Sequence, residues 1–221
     1  GRSPMGDDGG MEAEILGRAE TPDGEILLRR HGEVVELIVN GVYAMDTVDI
    51  SSELALADAA GVRQERVLVG GLGLGFTAAR LLERGAEVDV VERAGPLLEW
   101  ARRGVTPQLG RLAGDPRVQL HHADIIGFVT TTTETWDAIV LDVDNGPSFL
   151  IHADNAEVYT ERFLRACLAR LTPGGRLLIW CESASPTLEI ALRRLTPAVE
   201  AIDVPVPREG REFSHTLYRA G

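Results

Sequence analysis

The run Val67-Leu68-Val69-Gly70-Gly71-Leu72-Gly73-Leu74-Gly75-Phe76 decides the fold of this chain. Apolar residues make a short strand from Arg66, glycines follow at 71, 73 and 75, and a helical pattern opens at Phe76 and runs to Arg84. Glycine lets a backbone turn sharply and lie against a ligand with no Cβ in the way. The helix that follows offers free N–H groups and the positive end of its dipole. A tight strand-to-helix turn could carry such glycines without any ligand, but a strand before and a helix after are the context a nucleotide loop requires.

Toward the C-terminus, strand and helix keep alternating. Glu87-Val88-Asp89-Val90-Val91 predicts a second strand and Pro96 to Arg103 a second helix, with proline in its first turn. Val118-Gln119-Leu120-His121 predicts a third strand and Trp136 to Leu141 a fourth, continuously apolar as a buried parallel strand should be. Phe163, Leu164, Cys167, Leu168 and Leu171 keep helical spacing within Tyr159 to Leu171, which Pro173-Gly174-Gly175 should stop. Arg176 to Trp180 then reads as a fifth strand and residues 186–195 as a helix. Val199 to Val206 and Phe213 to Tyr218 close the chain as a hairpin. The pattern is α/β: a Rossmann-like, doubly wound sheet with a terminal antiparallel hairpin.

Toward the N-terminus the period changes to two. Residues 25–30 and 33–39 flank His31-Gly32, and Asn40-Gly41 signals a type I′ turn before Val42-Tyr43-Ala44-Met45. Residues 11–50 thus form a small β-appendage. Ser51 caps an Ala/Leu helix that leads into the main domain, residues 51–221. Residues 1–10 read as a disordered, tag-like leader without the marks of a signal peptide.

The chain has 221 residues and a net charge of −12. That charge has the wrong sign for a surface that tracks phosphates, so no nucleic-acid partner is expected. No run of 18 apolar residues is present, so no membrane span is expected, and without signal-peptide features at its start the chain is expected in the cytoplasm. Every basic residue is arginine, which excludes lysine Schiff-base and Walker-type mechanisms. Cys167 and Cys181 sit in apolar surroundings and read as buried free thiols; with five scattered histidines they make no metal cluster.

Glu92 ends the second strand, 17 residues after Gly75. A carboxylate there can accept from both hydroxyls of a ribose. Asp124, ending the third strand, can accept from an adenine amine or cap a helix. A nicotinamide-dependent dehydrogenase would share the glycines and the acid. The carboxylates of Asp142-Val143-Asp144-Asn145-Gly146-Pro147, however, suit a cationic ligand such as a sulfonium or an amine better than a pyrophosphate.

Together these pieces resemble the spermidine synthase-like branch of the class I S-adenosylmethionine-dependent methyltransferase fold. The matching stretches are Val39-Asn40-Gly41, the glycine loop, Val90-Val91-Glu92, Asp115-Pro116-Arg117-Val118, Ala123-Asp124, residues 136–142 (WDAIVLD) and Leu171-Thr172-Pro173-Gly174-Gly175. The resemblance implies that Gly71, Gly73, Gly75, Glu92 and Asp124 line the nucleoside, that Asp142 faces sulfonium and acceptor, and that the protein is a homodimer. The chain also departs from the branch. Polyamine-forming members carry an aspartate in the loop, where this chain has Gly73, and a glutamine where it has Ala44. Their second catalytic carboxylate falls at position 145, which is asparagine here, whereas this chain has Asp144.

Residues i and i+2 of a strand share a face, so Asp142 and Asp144 would point into one pocket if the strand reached residue 144. Asp142 would act as base and Asp144 would hold the acceptor. Tyr43, His152 and Asn155 are further acceptor-binding candidates. The expected function is methyl or alkyl transfer from S-adenosylmethionine, without metal, to a small amine- or hydroxyl-bearing acceptor. The alternatives are aminopropyl transfer from decarboxylated S-adenosylmethionine and a binding protein that has lost catalysis.

Overall fold

A computed structural model of the protein describes residues 12–61, 65–142, 160–208 and 211–221. Four antiparallel strands open the chain in meander order: β1 (Glu14–Thr21), β2 (Gly24–His31), β3 (Val34–Val39) and β4 (Val42–Asp46). Asn40 and Gly41 both take positive φ, 51° and 71°, as the Asn-Gly signal requires. The Asn40 side chain also ties two turns together. Its Oδ1 accepts from the Glu25 N–H at 3.1 Å and its Nδ2 donates to the Asp23 carbonyl at 2.9 Å. The β3–β4 register slips by one residue, because Leu37 pairs with Met45 and Ile38 with Tyr43, which makes Ala44 the extra residue of a bulge.

The second unit runs α1 (Ser51–Ala59), β5 (Arg66–Gly70), α2 (Phe76–Glu83), β6 (Glu87–Glu92), α3 (Gly95–Arg102), α4 (Pro107–Gly114), β7 (Val118–His122), α5 (Ile125–Thr131), β8 (Trp136–Asp142), α6 (Glu161–Ala169), β9 (Leu171–Cys181), α7 (Pro186–Leu195), β10 (Val199–Arg208) and β11 (Arg211–Ala220). The sheet order is β10-β11-β9-β8-β5-β6-β7, with β7, β6, β5, β8 and β9 parallel and β11 and β10 antiparallel. This is a class I methyltransferase-type sheet.

The central strands are apolar on both sides because both faces are covered. Val67, Val69, Val90, Val140 and Trp180 pack on one face with α2, α3, α4 and the N-terminal sheet, which contributes Ile26, Leu28, Leu37 and Val39. Leu68, Val91, Ile139, Leu141 and Ile179 pack on the other with α5, α6 and α7. The N-terminal sheet is locked down tightly: a Cβ at Gly17 would come within 2.6 Å of the Trp100 ring, and Arg93 pairs with Asp23 at 2.8 Å. No helix among the described residues is long and apolar enough to cross a membrane.

The structure adds two helices that the sequence pattern did not show, α4 and α5. It also corrects two details. The Leu171-Thr172-Pro173-Gly174-Gly175 run lies inside β9, where pairing jumps from Trp136–Leu171 to Ala138–Arg176. Ser51 is not a cap: α1 starts after Ile50 without a side-chain cap, and the Ser51 hydroxyl turns back to Asp49.

Candidate active site

The carboxyl ends of the parallel strands meet along one edge. Gly70 pairs with Val91 of β6 and with Leu141 of β8, so the next row reads Glu92, Gly71, Asp142. His122 continues the row beyond Glu92, and Trp180 continues it beyond Asp142. Two strand spacings separate Glu92 from Asp142, roughly 10 Å. Val90, Val140 and Trp180 all face the N-terminal sheet, and the period of two therefore turns Glu92 and Asp142 to that face as well.

The glycine loop bends over this row. Gly71 (φ 106°) extends the ladder through its N–H to the Val91 carbonyl at 2.9 Å, and the Gly75 N–H closes a turn on the Leu72 carbonyl at 2.9 Å. Gly71 is the partly exposed glycine of the three; Gly73 and Gly75 are buried. Gly75 (φ 92°) heads α2 and is backed by α4, since a Cβ there would stand 2.4 Å from a Leu112 methyl. Gly73 faces the N-terminal sheet instead, at Met45.

Glu92 is fully buried. One carboxylate oxygen accepts from the Leu72 N–H at 3.1 Å and the other from the Ala94 N–H at 2.8 Å. A single side chain thus fixes the glycine loop and the β6–α3 turn against each other. Asp124 does not end the neighbouring strand: β7 stops at His122, and Asp124, two residues further on and exposed, caps α5 by accepting from the Ile126 N–H at 3.3 Å. Asp142 ends β8, half-buried. Tyr43 lies on β4, whereas Asp144, His152 and Asn155 lie outside the described residues. Trp100, which could have adjoined a base, instead packs beneath Gly17 of β1.

Two features near this edge had no distinct sequence signal. Met45 reaches Gly73 from the N-terminal sheet. Just after it, Asp46, Asp49 and Glu53 gather where β4 passes into α1. Burial pushes the Glu53 carboxyl above its ordinary value, against hydrogen bonds from its own backbone and Ser52, while the charges of Asp49 and Asp46 push the same way as burial. A cavity of 210 Å³ beside the loop, between Val35, Thr47, Leu74, Phe76, Gln108 and Arg111, is lined by none of the edge carboxylates. It is also smaller than ordinary ligand pockets of roughly 300–1,000 Å³.

Comparison with known proteins agrees with the fold. A profile of the methyltransferase small domain family matches residues 35–204. A polyamine aminopropyltransferase of Synechococcus sp. is 27% identical over 203 residues, covering 85% of this chain and 62% of the relative. The chain therefore spans somewhat under two thirds of that protein's length. A ribosomal RNA small subunit methyltransferase C of Chromohalobacter salexigens is 36% identical over 134 residues, 60% of this chain and 35% of the relative. The solved spermidine synthase of Thermotoga maritima superposes with a TM-score of 0.74 at 19% identity, covering 94% of this chain and 73% of that one.

Proposed function

Because the chain belongs to the methyltransferase small domain family, we propose that its carboxyl-edge row serves an S-adenosylmethionine-dependent transfer of a methyl or other alkyl group to a small amine- or hydroxyl-bearing acceptor. The observation that carries this reading is the row itself: a buried acid at the second strand end, a glycine at the first and a half-buried acid at the fourth, all turned to one face.

These residues suit a nucleoside donor. Gly71 leaves the space a Cβ would fill, and the loop amides and the start of α2 favour an anionic group. Glu92 would take the ribose hydroxyls. Because the carboxylate is fully buried, the groups above it must part for a ribose to reach it. Asp124 stands on the adenine side of Glu92 and Asp142 on the other. The donor supplies an electrophilic carbon on a sulfonium. Asp142 removes the proton that the attacking amine or hydroxyl gives up, a role worth 10²–10⁴-fold in general-base catalysis. Positioning the nucleophile in line contributes several kcal/mol more.

Aminopropyl transfer is the second reading, supported by the likeness to a named polyamine aminopropyltransferase and by Asp46, Asp49 and Glu53, whose negative charge would suit a polyamine. Gly73, which has no side chain to hold an amine, weighs against it. Calorimetric titration with both donors, followed by mass spectrometry of reactions with putrescine and spermidine, separates the two. The first reading expects the full donor to bind at least as tightly and little aminopropyl product to form. Rapid formation of a longer polyamine and methylthioadenosine from the decarboxylated donor would overturn it.

A further inference from the structure

We propose that Met45 is the wall against the donor's tail at Gly73, and that the Met45–Gly73 pair sets which donor the chain accepts; the inference rests on the donor reading above. Gly73 has φ 53°, a left-handed conformation that aspartate tolerates better than most residues. The backbone alone therefore does not exclude an acidic side chain there, but such a side chain would have to press the end of Met45 aside. A Cβ at Gly73 would stand 2.7 Å from Met45 Sδ and 3.2 Å from its Cε.

Met45 reaches this position through the Ala44 bulge, and a bulge re-aims the side chains beside it. The chain behind it is clamped. The Thr47 N–H donates to the Val35 carbonyl and the Val35 N–H to Thr47 Oγ1, each at 3.0 Å. Asp46 Oδ1 accepts from the Val48 N–H at 2.9 Å and the Asp49 N–H at 3.3 Å. The start of the methionine is thus fixed while its unbranched thioether end can still turn, so a side chain at 73 displaces that end without breaking the fold. A neutral thioether gives a terminal ammonium no counter-charge. A tail that carries a carboxylate as well as an ammonium can turn to the positive end of α2 instead. Preference for the full donor is therefore a property of both residues and not of the glycine alone.

The test titrates wild type, Gly73→Asp, Met45→Ala/Gly73→Asp and Met45→Asp with S-adenosylmethionine and its decarboxylated form, with a thermal melt for each. The wild type should favour the full donor. Gly73→Asp alone should shift the ratio of the two affinities less than threefold, because the thioether, anchored from β4, competes with the new side chain for the space beside the loop. The double variant should shift it tenfold or more toward the decarboxylated donor. Met45→Asp, which leaves the loop untouched, should do the same from the other side of the gap and carries the test if the double variant does not fold. A shift by Gly73→Asp as large as that of the double variant, or no shift with a folded Met45→Asp, would overturn the role of Met45. Binding of neither donor by the folded wild type would overturn the donor reading and this inference with it.

Discussion

Strand β6 buries two carboxylates three residues apart, and they have opposite kinds of partner. Glu92, on the face toward the N-terminal sheet, is held by the backbone amides of Leu72 and Ala94. Asp89, on the other face and three residues toward the amino end, is held by side chains: His121 Nε2 at 2.9 Å, Trp136 Nε1 at 2.9 Å and the Arg66 guanidinium at 3.0 Å. Burial pushes the Asp89 carboxyl up, but hydrogen bonds from His121 and Trp136 and the charge of Arg66 outweigh it and leave it below the ordinary aspartate value. A carboxylate held by loop amides can exchange them for ligand hydroxyls when the loops move. One neutralised by an arginine and packed side chains has nothing to exchange. This difference fits the proposed binding role for the first and a stabilising role for the second.

The largest expected effect tests the stability half. Asp89→Ala leaves the buried Trp136 N–H and Arg66 without their shared acceptor, and should cost about 3 kcal/mol in denaturant unfolding. For a chain of this length that corresponds to roughly 10 °C in Tm. Because the folded-state pKa is depressed, the contribution of Asp89 is complete above the unfolded value of about 3.9 and is lost as pH falls through the lower folded value. The acid limb of the wild-type stability curve should therefore flatten in the variant. A drop in nucleoside affinity that exceeds the loss of stability would break the contrast between the two carboxylates.

Glu92→Gln comes next. It keeps the shape but loses a charged acceptor, and should weaken nucleoside binding by about 1–3 kcal/mol, roughly 5–150-fold in the titration. Unchanged affinity in a folded variant would mean that the ribose is held elsewhere, leaving Glu92 as a loop brace only.

The sequence made one half of this contrast readable and hid the other. Glu92 announces itself because a glycine loop precedes it at nucleotide-site spacing. Asp89 reads as an ordinary polar position in an alternating strand, since its partners at 66, 121 and 136 meet it only in the folded sheet. Met45 was hidden for a similar reason: its aim comes from a bulge, and no local signal marks Ala44 as the extra residue. α4 carries Gly110 and Gly114, which argue against a helix. Gly110 is there because a Cβ would stand 3.0 Å from Gly104 Cα, so close packing overrides propensity. α5 is rich in β-branched residues, and the Thr130 and Thr131 hydroxyls bond back to the Ile126 and Gly127 carbonyls at 2.7 Å each. Repeated short-range bonds of this kind carry no hydrophobic period for the eye to find.

The smallest expected effect divides the stability half among its partners. Trp136 is fully buried, donates to Asp89 Oδ2, and has the Arg66 guanidinium carbon 5.2 Å above its ring. Trp136→Phe keeps an aromatic face for Arg66 but removes the N–H donor. The loss should be about 1–2 kcal/mol, one hydrogen bond to a charged group plus a small packing defect. Nucleoside affinity should stay within twofold, because the ring lies on the face away from Glu92. Made in the Asp89→Ala background, the same change should cost about 1 kcal/mol less, since the acceptor is already gone. Additive losses in that cycle would show that the indole bond contributes nothing and that Arg66 and His121 hold Asp89 by themselves.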